Sequence, residues 1–140
     1  MRFWDTSALL PLLLGEKGHA HVRAILTSDD TMVLWWGSKV EAASAVARLE
    51  RAGEVSQPSA SKLLKQIEGF SAGAYEVQPA EAVRTTACRL LRVHDLRAAD
   101  ALQLAAALVW VEHHPAGAGL VALDRNLRLA AEREGFDVLP

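Results

Sequence analysis

Only one cysteine, Cys88, occurs in the chain, so no internal disulfide can staple it. The thiol falls in an apolar helical pattern with Ala87, Leu90 and Leu91, which predicts a buried side chain acting as a small hydrophobe. A basic excess is missing as well: 15 Lys and Arg stand against 17 Asp and Glu, for a formal net charge of −2 and a pI near 6.2. That balance excludes a general nucleic-acid coat, so any contact with nucleic acid must be local. Long apolar runs are also absent. LLPLLL and LQLAAALVWV fall short of the roughly 18 residues that span a bilayer, and no early stretch joins a basic start to a long apolar run and a small-residue cleavage site. The expectation is a soluble, cytoplasmic protein. Low-complexity tracts, repeats and long Pro/Gly/Ser linkers are lacking too, which predicts a single domain over residues 1–140.

What is present is apolar residues at 51%, enough for a substantial core, and a regular alternation. Short runs rich in apolar, β-branched or aromatic residues are RFWD, MVLWW (Met32 to Trp36), YEV (Tyr75 to Val77), GLVALD (Gly119 to Asp124) and DVL (Asp137 to Leu139). Segments of helical period lie between them: Ser7 to Leu14, Ala20 to Thr27, Lys39 to Ala52, Ala60 to Phe70, Ala80 to Leu91, Ala98 to His113 and Leu127 to Glu134. Gly53 and Gly135 sit where helices should end, and Pro79 where one should begin. Short strands alternating with helices predict parallel βα units in a three-layer α/β/α sandwich with a central, mainly parallel sheet. The tryptophans Trp35 and Trp36 read as strand packing, because a central strand buries both faces.

In such a sheet the helix after a strand starts at the strand's C-terminal edge, where ligands collect. Asp5 closes the first strand and Asp124 the fourth; Glu41 and Asp100 lie in the first turns of two helices, the second apolar nearly all round. Taken singly, each acid has a purely structural reading, as an N-cap or a first-turn acid favoured by the helix dipole. Taken together, four acids from distant places should meet at one edge. Their repulsion and desolvation call for a divalent cation. Oxygen-only ligands suit Mg²⁺ or Mn²⁺, whereas zinc would draw on histidine or cysteine. His19, His21, His94, His113 and His114 are placed before or after helices and read as surface or capping residues.

The segments FWDTSALL, SKVEAASAVAR, LRAADALQLAAAL and VALDRNLRLAAEREGF, in that order and at that spacing, resemble the PIN-domain nucleases over essentially the full length, and most closely the VapC toxins of toxin–antitoxin pairs. The resemblance implies a metal-dependent endoribonuclease in which Asp5, Glu41, Asp100 and Asp124 bind Mg²⁺ or Mn²⁺ and carry catalysis. It makes Ser7 a small polar residue hydrogen-bonded within the site, and Arg97 a basic residue supporting substrate phosphate or a salt bridge. It further implies an antitoxin whose apolar and basic tail lies over the active-site groove, and a homodimer built from the early helices. Gln103 stands where many relatives carry histidine, and Asn126 where some carry a further acid; both depart from the family pattern and leave the four acids intact.

From Arg84 to Arg97 the chain holds four arginines against one acid, Asp95, which reads either as a solvated helix face or as a place where Arg92 or Arg97 guides phosphates toward the acids. Leu9, Leu10, Leu12, Leu13 and Leu14 spread apolar surface around one short helix, more than a single sheet face would cover, and part of it is expected to meet a second subunit; the alternative is that the second helix, HAHVRAILT, covers it within the monomer. Two other readings stay open. One is a PIN-like binding module without chemistry. The other is an aspartyl-phosphate transfer domain, disfavoured because Ser7 occupies the place of a second aspartate and no lysine follows Lys65.

Overall fold

The computed structural model describes residues 1–15 and 19–140. Its elements are β1 (Arg2–Trp4), α1 (Thr6–Leu14), α2 (Ala20–Ser28), β2 (Met32–Trp35), α3 (Ser38–Arg51), α4 (Gln57–Gly73), β3 (Tyr75–Val77), α5 (Glu81–Val93), α6 (Ala98–Trp110), β4 (Gly119–Val121), α7 (Arg125–Glu134) and β5 (Asp137–Leu139). Every pairing is parallel and the strand order is β3-β2-β1-β4-β5. The chain therefore starts in the middle, builds outward to one edge, and returns to build the other. The order reverses between β1 and β4, where Phe3 faces Leu120 and Trp4 faces Val121. Their carboxyl ends diverge into helices on opposite faces, which opens a crevice at that point.

Side-chain alternation along the strands explains the two flanking layers. Phe3, Val33 and Trp35 face a core built with α5, α6 and α7, including Leu90, Leu104 and Leu127. Trp4, Met32 and Leu34 face the other side, against Ala8, Leu9 and Val22 of α1 and α2. A third cluster joins α1 to α3 and α4 through Leu13, Val46, Leu63 and Ile67. Phe3 and Trp4 are both fully buried, as a central parallel strand requires.

Several sequence expectations shift. Helix α4 begins at Gln57 rather than Ala60, because Ser56 caps it by accepting from the Ser59 N–H and Pro58 is at home in a first turn. Helix α6 stops at Trp110 rather than His113, since Glu112 and His113 adopt positive φ of 50° and 61°. Cys88 lies on the solvent side of α5 and is exposed, not buried as the pattern suggested: Val83, Thr86, Ala87 and Leu90 take the inner face. Trp35 packs in the core, but Trp36 lies one residue beyond the strand and is 48% exposed. His94 does follow α5 as its C-cap, yet it is buried, with Nε2 2.7 Å from Glu134 Oε1, which corrects a surface reading. The leucines of α1 are mostly covered within the monomer: Leu9 and Leu13 are buried, while Leu10, Leu12 and Leu14 pack half-buried against the same clusters. Helices α2, α3 and α4 all pack against α1, and Leu10 and Leu14 still line an open groove. Among the described residues, no helix is long and apolar enough to cross a membrane.

Candidate active site

Asp5 ends β1 and caps α1. Its backbone N–H donates to Val121 O at 2.9 Å, tying it to the end of β4. Its Oδ2 accepts the Ser7 N–H at 2.9 Å and also the Ser7 hydroxyl. Ser7 Oγ in turn accepts from the Leu123 N–H at 2.9 Å and the Asp124 N–H at 3.2 Å. Asp124 caps α7, accepting the Leu127 N–H at 2.8 Å. Asp5 and Asp124 thus serve as helix caps and face one cleft as well; the structural and functional readings coexist.

Glu41 and Asp100 reach the cleft from the first turns of α3 and α6. The turn into α3 is set by Gly37, whose carbonyl accepts from the N–H groups of Val40 and Glu41. A Cβ there would lie 2.4 Å from the Trp35 indole nitrogen, so only glycine lets the indole fold over the turn. The four carboxylates, with Thr6, Ser7, Leu10, Val40, Ser44, Ala45 and Arg48, line a cleft of about 510 Å³.

Electrostatics there are unfavourable as the protein stands. Burial pushes the Asp5 carboxyl up to about 6, the nearby Asp100 adding to the rise against the opposing Ser7 hydrogen bonds. Burial also raises Glu41, with Asp5 and Asp100 contributing, while Gln103 and Thr6 hydrogen bonds oppose. Asp100 is raised by burial and by Asp124, and held back by the Arg97 backbone and charge. These are acids pushed toward protonation by burial and by one another. Among the described residues the donor set is oxygen-only, with no histidine or cysteine lining the cleft, and that chemistry fits a hard divalent cation. Among the described residues no three of these groups already close on one ion-sized point, so the acids share a cleft and do not form a finished coordination shell.

The remaining candidates separate. Arg97 is the exposed N-cap of α6, close enough for its charge to act on Asp100. Arg92 is exposed in the last turn of α5 and does not line the cleft. Asn126 donates to Asp95 Oδ2 at 3.5 Å and does not line the cleft. Sequence reasoning missed Arg48, although it stands seven residues after Glu41 on α3 and so on the same helical face. It also missed the polar layer beneath the acids, where Gln103 Nε2 lies 2.9 Å from Thr6 Oγ1, 3.0 Å from Ser38 Oγ and 3.2 Å from Glu41 Oε2.

Residues 2–133 match the family model described as PIN domain. A curated relative, Ribonuclease VapC45 of Mycobacterium tuberculosis (strain CDC 1551 / Oshkosh), is 28% identical over 138 residues, 99% of this chain and 94% of the relative. Among solved structures, the fold resembles Mycobacterium tuberculosis VapC20, titled a Sarcin-Ricin loop cleaving toxin, with a TM-score of 0.68 at 18% identity, covering 100% of both chains. It also resembles a chain of a toxin-antitoxin complex from Klebsiella pneumoniae, with a TM-score of 0.64 at 12% identity over 90% of this chain and 89% of that one.

Proposed function

The chain belongs to the PIN-domain family, and from that premise we propose that it is a Mg²⁺- or Mn²⁺-dependent endoribonuclease, the toxin of a toxin–antitoxin pair. The observation that carries the reading is the convergence of Asp5, Glu41, Asp100 and Asp124, drawn from four separate stretches of sequence, on one cleft at the switch point of the sheet. In this reading the four carboxylates hold the cation. When bound, the cation supplies water activation and neutralises charge developing on a phosphodiester. Ser7 fixes the Asp5 carboxylate and the two neighbouring backbone amides. Arg48 and Arg97 offer positive charge at the rim for the RNA backbone, and Leu10 and Val40 form apolar wall. No side chain is required as a covalent nucleophile, since hydrolysis needs only a positioned water.

The partners belong to the same proposal: RNA as substrate, a cognate antitoxin and a second copy of the chain in a homodimer, in the cytoplasm. The relative named a ribonuclease and the likeness to a toxin-antitoxin complex support the first two. Next to the acidic cleft runs an apolar groove lined by Leu10, Pro11, Leu14, Ala45 and Leu49, with Arg48 shared between them, which suits an apolar tail. Incubating the purified chain with structured and single-stranded RNAs, with Mn²⁺ or with EDTA, tests the activity. Metal-dependent cleavage that vanishes in Asp100→Asn is expected; RNA bound yet never cut would favour a binding module. Light scattering across a dilution series tests the homodimer, and a monomer at every concentration would remove that part alone.

A further inference from the structure

Of the six buried polar or charged residues among the described residues, Asp5 and Thr6 line the acidic cleft, and Ser38 and Gln103 join Thr6 by hydrogen bonds behind it. Gln103 is their hub. It is 1% exposed and springs from a helix whose other inward positions, Ala101, Leu104, Ala105 and Leu108, are apolar. Packing alone would be served by a leucine or methionine, because a buried amide must find partners for its hydrogens or lose the hydration it gave up. Here the partners are specific. Nε2 donates to Thr6 Oγ1, Ser38 Oγ and Glu41 Oε2, and Oε1 accepts the Ser38 hydroxyl at 3.4 Å. The Thr6 hydroxyl also supports the Glu41 carboxylate. Three elements are joined: α6 through Gln103, the start of α1 through Thr6, and the first turn of α3 through Ser38 and Glu41.

We propose that Gln103 is a positioning residue that fixes the Glu41 carboxylate for cation binding from beneath the cleft. The inference rests on the metal-site reading given above. An amide suits the task because it donates whatever the protonation state around it, and its two hydrogens shared among three oxygens restrict where the carboxylate can turn. Outer-layer partners of this kind orient metal-binding carboxylates, and their loss typically weakens metal affinity or activity by about 10–100-fold.

The test is calorimetric titration of the full chain with Mn²⁺, comparing wild type, Gln103→Met, Glu41→Gln and the double variant, with melting temperatures in EDTA measured alongside. Gln103→Met should weaken Mn²⁺ affinity by about tenfold or more, while adding almost nothing in the Glu41→Gln background, because the brace then has no carboxylate to hold. A residue serving only packing would lower the melting temperature and leave affinity unchanged. Should Gln103→Met fail to fold, Gln103→Asn keeps the amide but withdraws it by one methylene, and carries the same expectation. Wild-type binding that Glu41→Gln weakens and the Gln103 variant leaves within twofold would overturn this inference alone. Losses that multiply in full in the double variant would also overturn it, since Gln103 would then act independently of Glu41. Absence of Mn²⁺ binding by wild type would overturn it together with the metal-site reading.

Discussion

The hydroxyl of Ser7 accepts a hydrogen bond from the backbone N–H of Leu123 at 2.9 Å, across 116 positions of sequence. The same oxygen accepts from the Asp124 N–H and donates to Asp5. One side chain thus ties the acid ending β1 to the segment carrying the acid after β4, at the point where the strand order reverses. Ser7→Ala should leave these groups with poorer partners, at a cost of about 1–3 kcal/mol. A melting temperature lower by a few degrees and slower cleavage are the expected results. Unchanged melting and unchanged turnover would mean that water replaces the hydroxyl without loss.

The alternation of strands and helices was legible because its cause is local: short continuous apolar runs against longer segments of helical period. The candidate site was legible for a related reason. Parallel topology sends every strand end to one edge, so acids at strand ends and in first turns could be brought together without knowing a single distance. Arg48 was overlooked because an arginine late in a helix resembles any solvated charge, although its spacing of seven from Glu41 sets both on one helical face. Gln103 was seen as a departure from a family pattern, while its bonds to Thr6, Ser38 and Glu41 span 97, 65 and 62 positions and leave no local trace. The misplaced exposure of Cys88 and Trp36 has the same origin. An apolar pattern fixes which face of a helix turns inward only approximately, and a strand's end is set by its neighbour's length.

Asp100→Asn should abolish cleavage and yet not destabilise the metal-free protein. Asp100 is raised by burial and by Asp124, so removing its charge relieves repulsion in the cluster. The carboxamide oxygen can still accept from the Arg97 backbone at the helix start, preserving the cap arrangement. Melting both proteins in EDTA checks this. A clearly lower midpoint for the variant would count against mutual repulsion among the acids.

Metal-free stability should fall as pH rises from about 4 to above 6. Burial raises Asp5 from 3.8 to about 6 in the folded protein, and Glu41 and Asp100 move the same way. A carboxyl raised on folding holds its proton while the unfolded chain has lost it, so its contribution is complete below the unfolded value and disappears as pH passes the folded value. For Asp5 the change is on the order of 3 kcal/mol. Glu134, lowered by its Arg89 hydrogen bonds, works in the opposite sense, losing its contribution as pH falls. Urea unfolding in EDTA at a series of pH values measures the sum, and Asp5→Asn isolates the largest part: its slope over this window should be visibly flatter than that of wild type. Saturating Mn²⁺ should reverse the wild-type trend, because binding competes with protons for the same carboxylates.

Arg48 should matter more for RNA binding than Arg92. Arg48 lines both the acidic cleft and the adjoining apolar groove, Arg97 acts on Asp100 from the rim, and Arg92 lies outside the cleft. An exposed arginine contacting one phosphate contributes about one unit to the slope of log affinity against log salt. Arg48→Ala and Arg97→Ala are therefore expected to weaken binding of a non-cleaved RNA by the Asp100→Asn protein and to flatten that slope by about one each. Arg92→Ala should change neither quantity. Because Arg48 is exposed and belongs to none of the buried clusters, its loss should leave the melting temperature nearly unchanged, which separates a binding defect from a folding one. Equal slopes for wild type and Arg48→Ala, with equal affinity at low salt, would show that the RNA backbone takes a different path across the cleft.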